Sequence, residues 1–217
     1  MIQGVEITVD REAVVVAAHE PLTVLSSAFV SGGFTAARAI VNLHVRKNIP
    51  VAETDGLLPR FVERREIRGP WVGLLTSAWT EKAVVAEVDG SGLTALAVVT
   101  VGLSNRITAG VTPVGIWAPT TINSIVVVDG DPEPAALVNA VMTVTEVKTS
   151  LLASVDLRCD DGSVASGTST DAVVVAATGR GPHRRFGGPI SDLGWVVARA
   201  VRDALDVGIR LWIEEHR

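Results

Sequence analysis

Four polar clusters interrupt otherwise apolar stretches of this chain. They are Val101-Gly102-Leu103-Ser104-Asn105, Thr120-Thr121-Ile122-Asn123, Thr145-Glu146-Val147-Lys148-Thr149 and Gly167-Thr168-Ser169-Thr170-Asp171. A buried polar group without a partner costs about 1–3 kcal/mol. So many of them at the ends of Val- and Ala-rich runs must be tied into one network or used on a ligand. Their types are those of nucleophilic attack and proton transfer. A Ser or Thr hydroxyl, such as that of Ser104, becomes a nucleophile beside a base. Asp171 and Glu146 are the candidate bases, and Asn105 and Asn123 the amides able to donate to an oxyanion. Ser, Thr and Asn also cap helices and close turns, which is the plainer reading of each.

Other residues have weaker claims. Glu146 and Lys148 are two positions apart on an expected helix and so face different ways, each needing its own partner in a polar cleft or in solvent. Ser31-Gly32-Gly33, before a segment that reads as a helix, offers backbone N–H groups to an anion, although a tight turn is the commoner use. His19, His44, His183 and His216 are far apart in sequence, which argues against a metal site. His44 reads as structural, His19 and His216 as solvated. The chain lacks G-x-S-x-G, a Walker A loop and His-Glu-x-x-His. Five Trp residues are scattered along it; each is a platform for a flat ligand or, more commonly, core packing.

The elements that must position these residues follow from pattern. Val14–Ala18 and Leu22–Ala28 read as paired strands around a turn at His19-Glu20-Pro21, and Phe34–Val45 as a helix with apolar positions 36, 37, 40, 41 and 43. Pro50–Arg68 reads as a loop. Strands are expected at Val72–Ser77, Ala83–Val88, Leu93–Val101, Ile122–Asp129 and Thr170–Ala176. The unbroken Ile125-Val126-Val127-Val128 marks a strand buried on both faces. One helix opens at Asp131-Pro132-Glu133-Pro134 and runs to about Leu152. A second is capped by Ser191 or Asp192 and runs to about Glu215 with a single apolar stripe. The strand-plus-helix pattern of 13–45 and 93–152 suggests a loose duplication at most. The expected fold is α/β, a mixed β-sheet layered with α-helices, in a single compact domain spanning 1–217.

Composition narrows the functional classes. The chain has 217 residues, 47% apolar, with a net charge of −5 and no basic stripe, which disfavours nucleic acid as a partner. A lone cysteine, Cys159, excludes an internal disulfide and a cysteine-rich zinc site. No leader pattern is seen at Met1–Asp10, and the apolar runs fall short of the ~20 residues that span a bilayer. The expectation is a cytoplasmic protein without membrane partners.

Taken in order, these segments resemble the adenosylcobinamide amidohydrolase family of cobamide salvage. The resemblance covers roughly Val15 to Ala204. It is carried by Ser26-Ser27-Ala28, Gly32-Gly33, Ala37-Arg38-Ala39-Ile40-Val41-Asn42, Gly73-Leu74-Leu75-Thr76-Ser77-Ala78, Thr100–Asn105, Thr121-Ile122-Asn123, Ala135–Ala140, Thr145–Thr149 and Gly167–Ala172. It implies hydrolysis of the amide joining the aminopropanol arm to the corrin ring, giving adenosylcobyric acid and 1-amino-2-propanol. The corrinoid would be substrate rather than cofactor, and no other cofactor is implied. A homo-oligomer is compatible with the resemblance.

For that reaction the residues suggest Glu146 as base or acid, Lys148 as a charge partner, and Asn105 and Asn123 as amide or oxyanion contacts. Asp171, Thr168 and Thr170 would line the same cleft, and Ser104 would attack directly or position a water. Gly32, Gly33 and Asn42 join Lys148, Thr168 and Thr170 as expected substrate contacts. The chain departs from the family pattern at Gly187-Gly188-Pro189-Ile190-Ser191-Asp192-Leu193-Gly194, where a His and a Lys are expected, and at Arg106, where a small residue is usual. Two other readings stay open: a non-catalytic corrinoid-binding protein, and a hydrolase for a different amide. Catalysis predicts that the four clusters converge on one pocket.

Overall fold

The computed structural model describes residues 1–47, 49–115 and 120–217; Trp117 therefore lies outside the described residues. Its sheet has eight strands. These are β1 (Val5–Val9), β2 (Ala13–Ser26), β3 (Gly33–His44), β4 (Trp71–Thr76), β5 (Val84–Gly90), β6 (Leu93–Val101), β8 (Ile122–Asp129) and β11 (Ala172–Ala177), where β7 (Arg106–Ile107), β9 (Asp131–Pro132), β10 (Gly167–Thr168) and β12 (His183–Arg184) are two-residue strands. The order is β4-β3-β2-β11-β8-β6-β5, with β1 beside β2. The β3–β4 and β8–β11 pairs are parallel, and the rest of the sheet is antiparallel. Among the described residues there are three α-helices: α1 (Leu57–Arg64), α2 (Pro134–Ser154) and α3 (Asp192–Glu215).

The sheet doubles over, so that β3 and β4 face β6 and β8. One apolar core fills the fold, drawing Val14, Ile40, Leu74, Val98, Ile125 and Val174 from strands on both wings. The opposite face of β6, β8 and β11 packs on α2 and α3 through Val99, Val126, Val175, Leu137 and Val197. Strands β8 and β11 are thus buried on both sides, as the unbroken apolar runs require. α2 is, by length and apolarity, long enough to cross a bilayer. Its Leu137, Ala140, Val144 and Leu152 are packed into the core with α3, and its other side is exposed at Val138, Met142 and Glu146.

Three expectations are corrected. Phe34–Val45 is not a helix but lies within β3 and its end. Ala37, Ala39, Ile40, Val41, Asn42 and Leu43 are all buried there, and a strand covered on both faces leaves an apolar pattern that twelve residues cannot separate from a helical one. The loose duplication falls with that helix. The two strands expected on either side of Pro21 are one strand, β2. Its register with β3 shifts between Ala17 and Leu22. On its other side the ladder passes from β1, ending at Ala18, to β11, beginning at Thr23. Pro21 occupies that gap, where no ladder N–H is needed. Within the expected loop 50–68, Leu58, Phe61 and Val62 recur at helical spacing and cover Val41 and Leu43, forming α1.

The long final helix follows its expected course. The Ser191 hydroxyl accepts from the Gly194 N–H at 3.1 Å, capping α3. Beside it, β12 pairs with β9, and the His183 imidazole lies 3.1 Å from both Asp131 Oδ2 and Glu133 Oε1. Hydrogen bonds to Asp131 and then Glu133 raise the His183 pKa above its ordinary value. The native state therefore holds the proton to higher pH than the unfolded chain. The resulting stabilisation is full below about pH 6.5 and disappears as pH rises through the raised value. The melting temperature of the wild type relative to His183→Gln, followed from about pH 5.5 to about pH 9, is expected to decline toward zero difference.

Candidate functional site

The polar clusters meet at one end of the doubled sheet, where β6 ends and β8 and β11 begin. Asp171 is their centre. Its Oδ1 accepts from the Ile122 N–H at 3.0 Å and from the Thr168 hydroxyl. Its Oδ2 accepts from the Thr168 N–H at 3.0 Å and from the Lys148 ammonium at 2.5 Å. A carboxylate offers roughly four lone-pair sites, and all are used. Asp171 is therefore a clamp joining β8, β10, β11 and α2, and not the free base expected. A Cβ on Gly167 would collide with the Asp171 carboxylate and the Lys148 ammonium, so glycine is required for this close approach.

Glu146 does not join the arrangement. It lies on the exposed side of α2 and forms no hydrogen bond or ion pair among the described residues. Two positions along a helix turn a side chain by about 200°, so burying Lys148 sends Glu146 outward. It is not the base or acid for a reaction at this end of the sheet.

Asn42 and Asn123 are 1% exposed each and form the seam between the two wings. Asn123 Nδ2 donates to Asn42 Oδ1 at 2.8 Å and to the Leu75 carbonyl at 3.1 Å. Asn42 Nδ2 donates to the Thr100 hydroxyl at 2.9 Å. Both Asn123 donors are thus committed internally, which removes it as an oxyanion contact. Gly32 and Gly33 line neither of the clefts described below. Gly32 lies in the β2–β3 turn and Gly33, with φ +91°, opens β3, so a strand and not a helix follows and no helix N-terminus makes an anion site.

Two clefts take residues from this end of the sheet. The smaller, about 250 Å³, is lined by Ser27, Phe29, Leu74, Leu75 and Ser169–Ala172, and so includes Thr170 and the edge of Asp171. The larger, about 450 Å³, contains Ser104, Ser77, Thr120, His44, Trp79 and Trp212. Asn105 Nδ2 donates to the Ser169 hydroxyl at 2.6 Å. Thr168 is buried under Asp171 rather than in a cleft. The clusters therefore share one end of the sheet but serve two clefts. Arg106, in β7, pairs with Thr168 and is 3.8 Å from Asp160.

Sequence reasoning gave no site role to His44, Ser77 and Trp79, and placed Thr120 only within a polar cluster. In the larger cleft the Ser77 and Thr120 hydroxyls are 3.0 Å apart, and the His44 ring stacks on Trp79 with centroids 4.8 Å apart. Trp79 is 55% exposed, contrary to a core role. The signal available was the Thr76-Ser77 pair ending an apolar strand. His44 was hidden by the helical reading of its segment. Among the described residues no group of three or more His, Cys, Asp or Glu side chains is arranged to hold a metal ion.

This architecture, a mixed sheet folded on itself beneath helices, is shared with solved structures of low sequence identity. The Burkholderia sp. beta-aminopeptidase shares it at a TM-score of 0.50 and 14% identity, over 93% of this chain and 79% of that one. More distant are the PH0078 protein from Pyrococcus horikoshii OT3 (TM-score 0.46, 15% identity, 97% and 80% covered) and the L-aminopeptidase D-Ala-esterase/amidase from Ochrobactrum anthropi (0.41, 12%, 95% and 83%), described as a variant of the Ntn hydrolase fold. Among curated proteins no sequence matches. The chain belongs to the adenosylcobinamide amidohydrolase family, whose sequence pattern it matches over residues 1–217. It is an amide hydrolase by that membership.

The Lys148 and Asp171 side chains are 11% exposed each, so their pairing is in the buried regime. Removing one partner there costs about 3–5 kcal/mol. Lys148→Met leaves Asp171 with three donors, whereas Asp171→Ala orphans the ammonium and two backbone N–H groups. Urea unfolding is expected to show both variants destabilised, Asp171→Ala the more strongly.

Proposed function

We propose that this chain hydrolyses the amide between the aminopropanol arm and the corrin ring of adenosylcobinamide, yielding adenosylcobyric acid and 1-amino-2-propanol. The observation that carries the reading is the family match along the entire chain. The site suits it chemically. The substrate is large, cationic and rich in amides, and the protein is acidic overall, with a net charge of −5. Hydroxyls of Ser77, Thr120 and Ser104 border the larger cleft, with the indoles of Trp79 and Trp212 as apolar walls for part of a flat macrocycle. Ser104, exposed in that cleft, is the sequence-derived residue best placed to touch the scissile amide. The corrinoid is the substrate in this reading, no resident cofactor is invoked, and the reaction is set in the cytoplasm.

The test is incubation of the protein with adenosylcobinamide and mass spectrometry of the products. Adenosylcobyric acid and aminopropanol are expected. Ser104→Ala should lower kcat/KM by about tenfold, the worth of one hydrogen bond at the reacting group. Glu146→Gln, a surface change, should stay within about twofold. Intact substrate that co-elutes with the protein on gel filtration would replace the reading with corrinoid binding alone.

A further inference from the structure

With Asp171 saturated and Glu146 in solvent, amide hydrolysis at this end of the sheet needs another proton acceptor. The geometry points to His44 as the general base, acting from the larger cleft. This rests on the proposed corrinoid-amide hydrolysis and names the group that carries its proton transfer.

His44 is the last residue of β3, opposite Thr76 in the parallel ladder with β4. Its Nδ1 is 2.9 Å from the Ala78 carbonyl oxygen. A carbonyl only accepts, so Nδ1 carries the hydrogen and Nε2 of the neutral ring holds the lone pair. Stacking on Trp79 at an interplanar angle of 12° fixes the ring plane. Among the described residues nothing hydrogen-bonds Nε2. Orientation by a carbonyl on one nitrogen, with the other left as acceptor in a cleft, is the arrangement of a catalytic imidazole.

The rest of the cleft supplies what such a base needs. One proton of the Ser77–Thr120 hydroxyl pair is used between them, leaving the other to donate to a ligand oxygen. The charged neighbours are largely neutralised: Lys82 pairs with Glu215 at 2.5 Å, Arg46 with Glu53, and Glu12 with Arg64 and Arg65. Lys47 and His216 complete the titratable groups of the cleft. The His216 Nδ1 faces the Trp212 carbonyl and its ring stacks on Trp212, but the residue is exposed at the chain's end.

In the step assigned to His44, Nε2 takes a proton from water as the water oxygen bonds to the amide carbon. The imidazolium returns that proton to the amide nitrogen as the C–N bond breaks and its electron pair leaves with the amine. Water is thus added across the amide, and the imidazole is regenerated neutral.

The test uses His44→Asn, whose amide reaches the Ala78 carbonyl as Nδ1 does but offers no base, with His44→Gln as a second variant should the first fail to fold. His216→Asn is the control. On adenosylcobinamide, kcat is expected to fall by roughly 10²-fold or more, with KM changed less than about threefold. The acid limb of the kcat/KM–pH profile should vanish in the His44 variants and persist in His216→Asn. A folded His44 variant that keeps both rate and acid limb overturns the assignment while leaving the hydrolase reading intact. Loss of the limb in His216→Asn instead also overturns it. A wild-type protein that cleaves nothing overturns both.

Discussion

One carboxylate governs how this end of the molecule is assembled. Asp171 accepts from two backbone amides, a hydroxyl and an ammonium, and so fastens the beginnings of β8 and β11 to α2. Each partner would be costly to bury alone. Together they are satisfied, and the loops that carry Ser104 and Ser169 are held in fixed relation to the sheet. Gly167 is the accommodation the backbone makes so that carboxylate and ammonium can approach.

The second constraint is the doubling of the sheet. Strands that are not neighbours in the ladder meet face to face, and the Asn42–Asn123 pair with Thr100 is the polar seam between them. Buried amides with committed donors favour one register over slipped alternatives, since a slip would strand them. Scaffold and chemistry are therefore divided among residues that look alike in sequence. The buried amides and Asp171 hold the frame, while the exposed hydroxyls and an imidazole face the cleft.

Much of this was legible. The five long strands from Val72 onward, the helix opening at Pro134 and the Ser191 cap all follow from local pattern, whereas the two-residue strands do not. So did the gathering of Ser104, Thr168 and Asp171 at one end, because polar residues at strand ends must meet something. What was not legible has physical causes. β3 is buried on both faces and loses the alternation that marks a strand. Pro21 reads as a turn unless the handover from β1 to β11 is known. Glu146 and Lys148 are sequence neighbours whose fates diverge only when the helix is rotated onto its sheet. His44 inherited the misreading of its strand.

The pairing of β2 with β11 also shapes how the chain is made. Ser26 is bonded into register with Val174, 148 residues further along the chain. At roughly 5–20 residues per second, β2, β3 and β4 wait on the order of ten seconds or more during synthesis before β11 is made. Until then the edge of β2 that β11 will occupy is unpaired over Thr23–Ser26. Such long-range pairing is slow to form and exposes sticky intermediates. A chain ending before Ala172 would lack the strand that joins β2 to β8, and with it the link between the two wings of the sheet.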